Sequence, residues 1–224
     1  EVNGLRVGGI VITKPNPKSI FTGNYCDNNF IEWTNEHDSS PALGAQFSFG
    51  GLTITGNMCT TNDVAVWCNF IVIKPYGPGH YINGFSVVGN VFRSLNGRID
   101  RVESVDTTFA DLDFNRTQGF EFSANTFHNV NAEVSNPASL SYEQATEATT
   151  WVIDTETALP FGGYAKTDES VIPNGAITNA AGTRVHDFPW AEGEKGADLQ
   201  SVHLNWSTPV KGQVRYQVRM DRTD

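Results

Sequence analysis

Four short segments of this chain repeat one another at nearly constant intervals, and no other feature restricts its fold as much. They are Ser19-Ile20-Phe21-Thr22-Gly23-Asn24-Tyr25-Cys26, Leu52-Thr53-Ile54-Thr55-Gly56-Asn57-Met58-Cys59, Phe85-Ser86-Val87-Val88-Gly89-Asn90-Val91-Phe92 and Phe120-Glu121-Phe122-Ser123-Ala124-Asn125-Thr126-Phe127. Successive Asn residues are 33, 33 and 35 positions apart. Three positions before the Asn stands Phe21, Ile54, Val87 or Phe122, and two positions after it Cys26, Cys59, Phe92 or Phe127. An extended chain turns alternate side chains to opposite faces, so these apolar positions share a side. A small residue followed by Asn tolerates the backbone angles of a sharp bend. One such coil cannot bury its own apolar face, whereas a stack of coils can. Asn24, Asn57, Asn90 and Asn125 are therefore expected to form one column.

Each repeat continues with further apolar pieces: Phe30-Ile31-Glu32-Trp33, Val64-Ala65-Val66-Trp67, Ile99-Asp100-Arg101-Val102, and a run from Phe70 to Ile73 that ends at Lys74-Pro75. A minimal coil needs roughly 20–25 residues, so the surplus belongs in loops, here 37–46, 76–83 and 106–118. Composition agrees with short strands and tight turns: 21 of 224 residues are Gly, 39% are hydrophobic and 11% aromatic. No apolar run approaches the roughly 18 residues that would cross a bilayer, so membrane insertion is not expected. A net charge of −10, with 15 Lys and Arg, repels phosphate backbones, and nucleic acid is not an expected partner. A neutral glycan suits such a chain better than an acidic one.

The repeat stops after Asn136-Pro137. Residues 138–150 are rich in Ser, Thr, Ala and Glu and read as a linker or one short helix. Strand candidates follow at 151–154, 165–172, 176–178, 184–188, 202–206 and 214–220, with turns at Gly162-Gly163, Pro173-Asn174-Gly175 and Val210-Lys211-Gly212. The expected class is all-β: a parallel β-helix over 1–137, a linker over 138–150 and a small antiparallel sandwich over 151–224.

Carboxylates supply the first candidates for chemistry. Asp111-Leu112-Asp113, if extended, sets two acids on one face about 7 Å apart, near the range of inverting glycosidases. Asp100 and Arg101, with Arg98 and Glu103 beside them, form a second cluster in which Arg could act as a base and acids could hold Ca²⁺. Aromatics supply the second set. Trp33 and Trp67 lie 9 and 10 residues past their Asn, and Tyr76 and Tyr81 flank a Pro-Gly-rich loop that also carries His80. Aromatic planes in a row suit the C–H faces of sugars, although Trp on a short apolar strand equally suits the core. His37-Asp38 has no accompanying nucleophile elbow, and no His spacing suggests zinc, so no metal is assigned. Cys26 and Cys59 occupy stacked positions about 4.8 Å apart, within disulfide reach. Their parallel side chains, and Phe92 and Phe127 at the equivalent positions, predict buried free thiols instead. Cys68 is expected to stand apart.

The strand-Gly-Asn-x-Phe coil resembles the right-handed parallel β-helix superfamily of pectate lyases, polygalacturonase-like hydrolases and phage tailspikes, over roughly residues 5–135. A β-helix followed by a small β domain is similar to spike proteins of phages and gene transfer agents. The resemblance implies a glycan-binding, receptor-recognising spike domain that meets a cell-surface polysaccharide. It further implies a homotrimer, an upstream particle-attachment domain, a place on a virion surface or outside a cell, and no cofactor. The start at Glu1, without Met, suits a mature product or a piece of a longer polypeptide. The same resemblance allows a secreted polysaccharide lyase or glycoside hydrolase, with Ca²⁺ if a lyase, or a structural segment without a ligand.

Overall fold

The computed structural model describes residues 10–12, 19–36 and 48–222; the expected loop at 37–46, with His37-Asp38, lies outside them. The chain divides into two compact units, Glu1–Val134 and Ser135–Asp224. Among the described residues there is no α-helix, and strands dominate both units.

The first unit contains β1 (Ile10–Ile12), β2 (Ser19–Thr22), β3 (Tyr25–Asp27), β4 (Ile31–Thr34), β5 (Ser48–Thr55), β6 (Met58–Thr61), β7 (Ile71–Lys74), β8 (Tyr81–Val88), β9 (Val91–Ser94), β10 (Glu103–Val105), β11 (Gln118–Ser123) and β12 (Thr126–His128). They form three parallel sheets, ordered β2-β5-β8-β11, β3-β6-β9-β12 and β1-β4-β7-β10. Each strand pairs with its counterpart one coil later, which makes a parallel β-solenoid of about three turns. Equal residues therefore stack. Leu52, Phe85 and Phe120 form one interior column and Ile54, Val87 and Phe122 another. Phe85 and Phe120 have ring centroids 5.4 Å apart, and Phe92 stacks on Phe127 at 5.9 Å.

The Asn column is present at the bend between the first two sheets. Asn24 Nδ2 donates to Asn57 Oδ1 at 3.0 Å, Asn57 Nδ2 to Asn90 Oδ1 at 2.9 Å, and Asn90 Nδ2 to Asn125 Oδ1 at 3.0 Å. Each Oδ1 also accepts the backbone N–H of the preceding Asn in the column. The second Nδ2 proton of Asn57, Asn90 and Asn125 reaches back to the carbonyls of Phe21, Ile54 and Val87. The residue before each Asn has positive φ, which favours the Gly found at three bends and which Ala124 adopts at the fourth.

Two further columns were not foreseen. Gly51, Gly84 and Gly119, spaced 33 and 35 residues apart, all have positive φ and bend the first sheet inside its own strands. Asn28, Asn62, Asn96 and Asn129 mark the bend after the second sheet. There Asn28 Oδ1 accepts from Asn62 N at 2.7 Å, and Asn96 Nδ2 donates to Asn62 Oδ1 at 2.7 Å.

The second unit contains β13 (Ala138–Asp154), β14 (Thr167–Pro173), β15 (Trp190–Lys195) and β16 (Ser201–Arg219) in one antiparallel sheet. β16 is central. β13 pairs along one side of it, and β14 and β15 share the other side at its two ends. Residues 138–150 are thus strand and not a linker or helix, because pairing with β16 overrides a composition with little strand preference. The candidates 202–206 and 214–220 are one strand, which passes through Val210-Lys211-Gly212 without turning. Trp151, Leu204, Trp206, Val214, Tyr216 and Val218 face the interior. Trp151 and Trp206 rings lie 4.9 Å apart, and Trp151 Nε1 donates to Val210 O at 3.1 Å.

Candidate functional site

The strands of the third sheet end side by side, so the loops that follow β4, β7 and β10 leave the solenoid at one flank. Thr34 is the register partner of Lys74, and Asp106 N donates to Ile73 O at 2.8 Å, which sets Asp106 over Lys74. Lys74 Nζ is 3.3 Å from Asp106 Oδ2. Tyr76, two residues beyond Lys74, stacks on Phe109 from the next loop with centroids 4.2 Å apart. Lys74 Nζ also sits 5.6 Å from the Phe109 ring centre. Tyr76 OH donates to Glu36 Oε2 at 2.7 Å, and Tyr76 N donates to Asn35 Oδ1 at 2.9 Å. Asn35, Glu36, Lys74 and Asp106, from three successive coils, thus surround one aromatic pair, with Phe109 56% exposed.

The flank is acidic. The hydrogen bond to Glu36 pushes the Tyr76 phenol up to about 12, followed by burial and the charges of Glu36, Glu32 and Asp106. Burial opposes the Asp106 charge, but the hydroxyl and N–H of Thr108, with Lys74, outweigh it and lower its carboxyl below the usual value. This surface offers neutral hydroxyl, carboxylate and the Lys74 ammonium around an aromatic plane.

The residues singled out from the sequence fare unequally. Tyr76 belongs to the flank, and Tyr81 is near it in the chain with one ring face covered by the Arg116 guanidinium at 3.8 Å. His80 is fully buried, with Asn35 Nδ2 2.9 Å from its Nε2, so it lies too deep to touch a ligand. Trp33 is 1% exposed and packs between Phe49 and Phe85, so it fills the core and is no platform. Trp67 is exposed but is not its counterpart, because Trp33 pairs with Ile73. The stretch between β6 and β7 is longer than the one between β3 and β4, so counting from the Asn fails there.

The candidate catalytic residues are each engaged locally. Asp111 Oδ1 accepts its neighbour's N–H at 2.7 Å, in a loop rather than on a strand. Asp113 caps the short 3₁₀ turn Phe114–Arg116 by accepting Asn115 N at 3.1 Å. The assumed strand pairing of these two acids is therefore not formed. Asp100 Oδ1 accepts from Asn131 Nδ2 at 2.9 Å. Arg101 is clamped side-on to Glu103, 2.8 and 2.7 Å from Oε1, and that carboxylate takes an inward position in register with Ile71. Among the described residues no three His, Cys, Asp or Glu side chains are grouped to hold a metal ion.

Phe109, Glu36 and Lys74 were missed as site residues. A lone aromatic inside a polar surplus loop, Thr107-Thr108-Phe109-Ala110, was the available signal for the first of them. Comparison of the chain with family models, curated proteins and solved structures finds no match in any of the three.

Proposed function

We propose that this chain is a glycan-binding spike domain of a phage-like particle, meeting a neutral cell-surface polysaccharide through the flank built by Tyr76 and Phe109. The observation that carries this reading is the Tyr76–Phe109 stack, with Phe109 exposed and Tyr76 half-buried, held by Lys74, Asp106 and Glu36 from three successive coils. A rigid aromatic plane with fixed donors and acceptors around it is what a sugar ring requires, since its C–H face packs on the ring and its hydroxyls pair at the edge. The surrounding acids disfavour a polyanionic chain. Right-handed winding is the sense that strand twist favours for parallel crossovers. Assembly as a homotrimer is part of the proposal, and the apolar residues Tyr25 and Met58, stacked and exposed on the outer side of the second sheet, support burial against another subunit.

The test is an oligosaccharide array followed by titration of the best neutral binder. Phe109→Ala should weaken its Kd about five-fold, the loss of roughly 1 kcal/mol from one stacking face. Unchanged affinity in both Phe109→Ala and Tyr76→Ala would exclude this flank. Release of new reducing ends during the same assay would instead favour the lyase or hydrolase reading.

A further inference from the structure

The outer face of the second unit carries an aromatic platform that the reading above does not use. Phe188 and Trp190 are 69% and 68% exposed, the two largest exposures of aromatic side chains in this unit, while Pro189 between them is buried. Phe188 lies two positions before Trp190, the first residue of β15, so the two exposed rings flank the buried Pro189. Trp190 opens β15 and pairs with Asn205, which pairs in turn with Thr150 of β13. The next row of the sheet is Glu192, His203 and Val152. Cross-strand partners share a face, so Trp190 stands at one edge of a surface three strands, or about 10 Å, wide.

That surface already holds its polar groups in place. Thr150 Oγ1 donates to Asn205 Oδ1 at 2.8 Å, Asn205 Nδ2 donates to Glu192 Oε2 at 3.2 Å, and Lys195 Nζ lies 3.4 Å from the same carboxylate oxygen. On the other side Phe188 borders an open cleft of about 480 Å³, whose rim includes Arg184, His186 and Asp187. Asp187 is fixed by a hydrogen bond from Ser207.

We infer that this face is a second glycan-binding site, taking a short stretch of a neutral saccharide, with Trp190 and Phe188 as stacking planes and Asn205 and Glu192 as hydrogen-bonding partners. The core of a protein-binding patch is depleted of charge, whereas here the Glu192–Lys195 ion pair stands on the same strand as the Trp. A phosphate or sulfate polymer would meet Glu192 and Asp187 as well as Arg184 and Lys195, in a chain of net charge −10. A neutral saccharide supplies both donors and acceptors and an apolar ring face, which matches each element. The site does not depend on the Tyr76–Phe109 flank.

The test uses the full chain and a panel of neutral gluco-, galacto- and manno-configured hexasaccharides, with a sulfated hexasaccharide as the anionic control. The Trp190 indole N–H resonance, assigned with Trp190→Phe, should shift on addition of at least one neutral member and not of the sulfated one. Trp190→Ala should weaken that binding at least ten-fold, Phe188→Ala by a smaller factor, and Phe109→Ala should leave it unchanged. If no neutral member moves the resonance at millimolar concentration, or if the sulfated one alone does, the inference is overturned. It is equally overturned if the resonance moves with protein concentration in the absence of sugar, which would make this a subunit contact. Binding that Phe109→Ala abolishes and Trp190→Ala spares would overturn this site and leave the solenoid flank standing.

Discussion

Asn90 is the most informative residue to replace, because its side chain serves two neighbouring coils. In Asn90→Ala, Asn57 loses the acceptor of its backbone N–H and of one amide proton, at 3.0 and 2.9 Å. Ile54 O and Asn125 Oδ1 each lose a donor, both at 3.0 Å. Asn125 Oδ1 keeps the N–H of residue 90, so the principal debt is two buried donors at Asn57 with nothing to bond. An orphaned buried donor costs about 1–3 kcal/mol, and with the lost carbonyl contact the substitution should cost roughly 3–5 kcal/mol. Asn24→Ala is the control. Asn24 is exposed, and Asn57 Oδ1 would still accept the N–H of residue 24, so its cost should be about 1 kcal/mol or less. A chain of two units need not unfold in one step, so amide exchange is a better assay than a global melt. The amides of Ile54 and Val87 should lose about two to four orders of magnitude of protection in Asn90→Ala, at about 1.4 kcal/mol per tenfold. Equal losses in the two variants, or less than tenfold in Asn90→Ala, would refute the account of the column as a cooperative bonded ladder.

Gly50→Ala should be far more damaging than Gly23→Ala, as read by the urea midpoint. An added Cβ at Gly50 falls 1.9 Å from Asn83 O, a backbone atom, while at Gly23 it meets open space and strains only a φ of +67°, which costs about 1–2 kcal/mol. Asp106→Asn should lower stability at neutral pH and match the parent in strong acid. A carboxyl held below its usual value stabilises the fold above that value, and the gain is lost as pH falls through the lowered one; a constant difference across pH would sink this reading. Cys59, lifted to about 12 by burial and by the adjacent Cys26 thiol, should react with iodoacetamide at least tenfold more slowly than half-buried Cys68 in the native protein, and equal rates would contradict its place in the interior column.

The solenoid was legible because its signal is mechanical. The Gly-Asn bend and the inward residues around it have one geometric role, and every coil repeats it, so Phe21, Ile54, Val87 and Phe122 declare their shared face without any structure. Gly51, Gly84 and Gly119 carried the same spacing but sit where strands were expected, and an isolated Gly inside a strand pattern reads as noise until the bend is seen. Loop contents were not legible, since Phe109 meets Tyr76 only because two unrelated loops leave adjacent coils. Trp33 and Trp67 misled through an insertion that breaks the count between β6 and β7. In the second unit, Val210-Lys211-Gly212 looked like a turn. Gly212, with φ of +151° and Ile177 beside it, instead lets β16 continue, through a shift of register against β13. Trp190 gave no warning, because Pro189-Trp190-Ala191-Glu192-Gly193-Glu194 has no apolar period from which its outward side could be inferred.

The Asn ladder has a direction, and direction implies an order of assembly. The backbone N–H of each bend Asn, at 24, 57 and 90, is completed by the side-chain oxygen of the coil synthesised after it. A coil leaving the ribosome therefore waits, unfinished, for its successor, and the most recently made coil is the one that closes the previous bend. Loss of coils from the two ends is correspondingly unequal. Trimming from the C-terminal side strands the backbone N–H of the bend Asn itself, whereas trimming from the N-terminal side strands one of its amide protons and the N–H of the residue after it. The stack behaves like a zipper whose slider travels one way, anchored by the coil that carries Asn125.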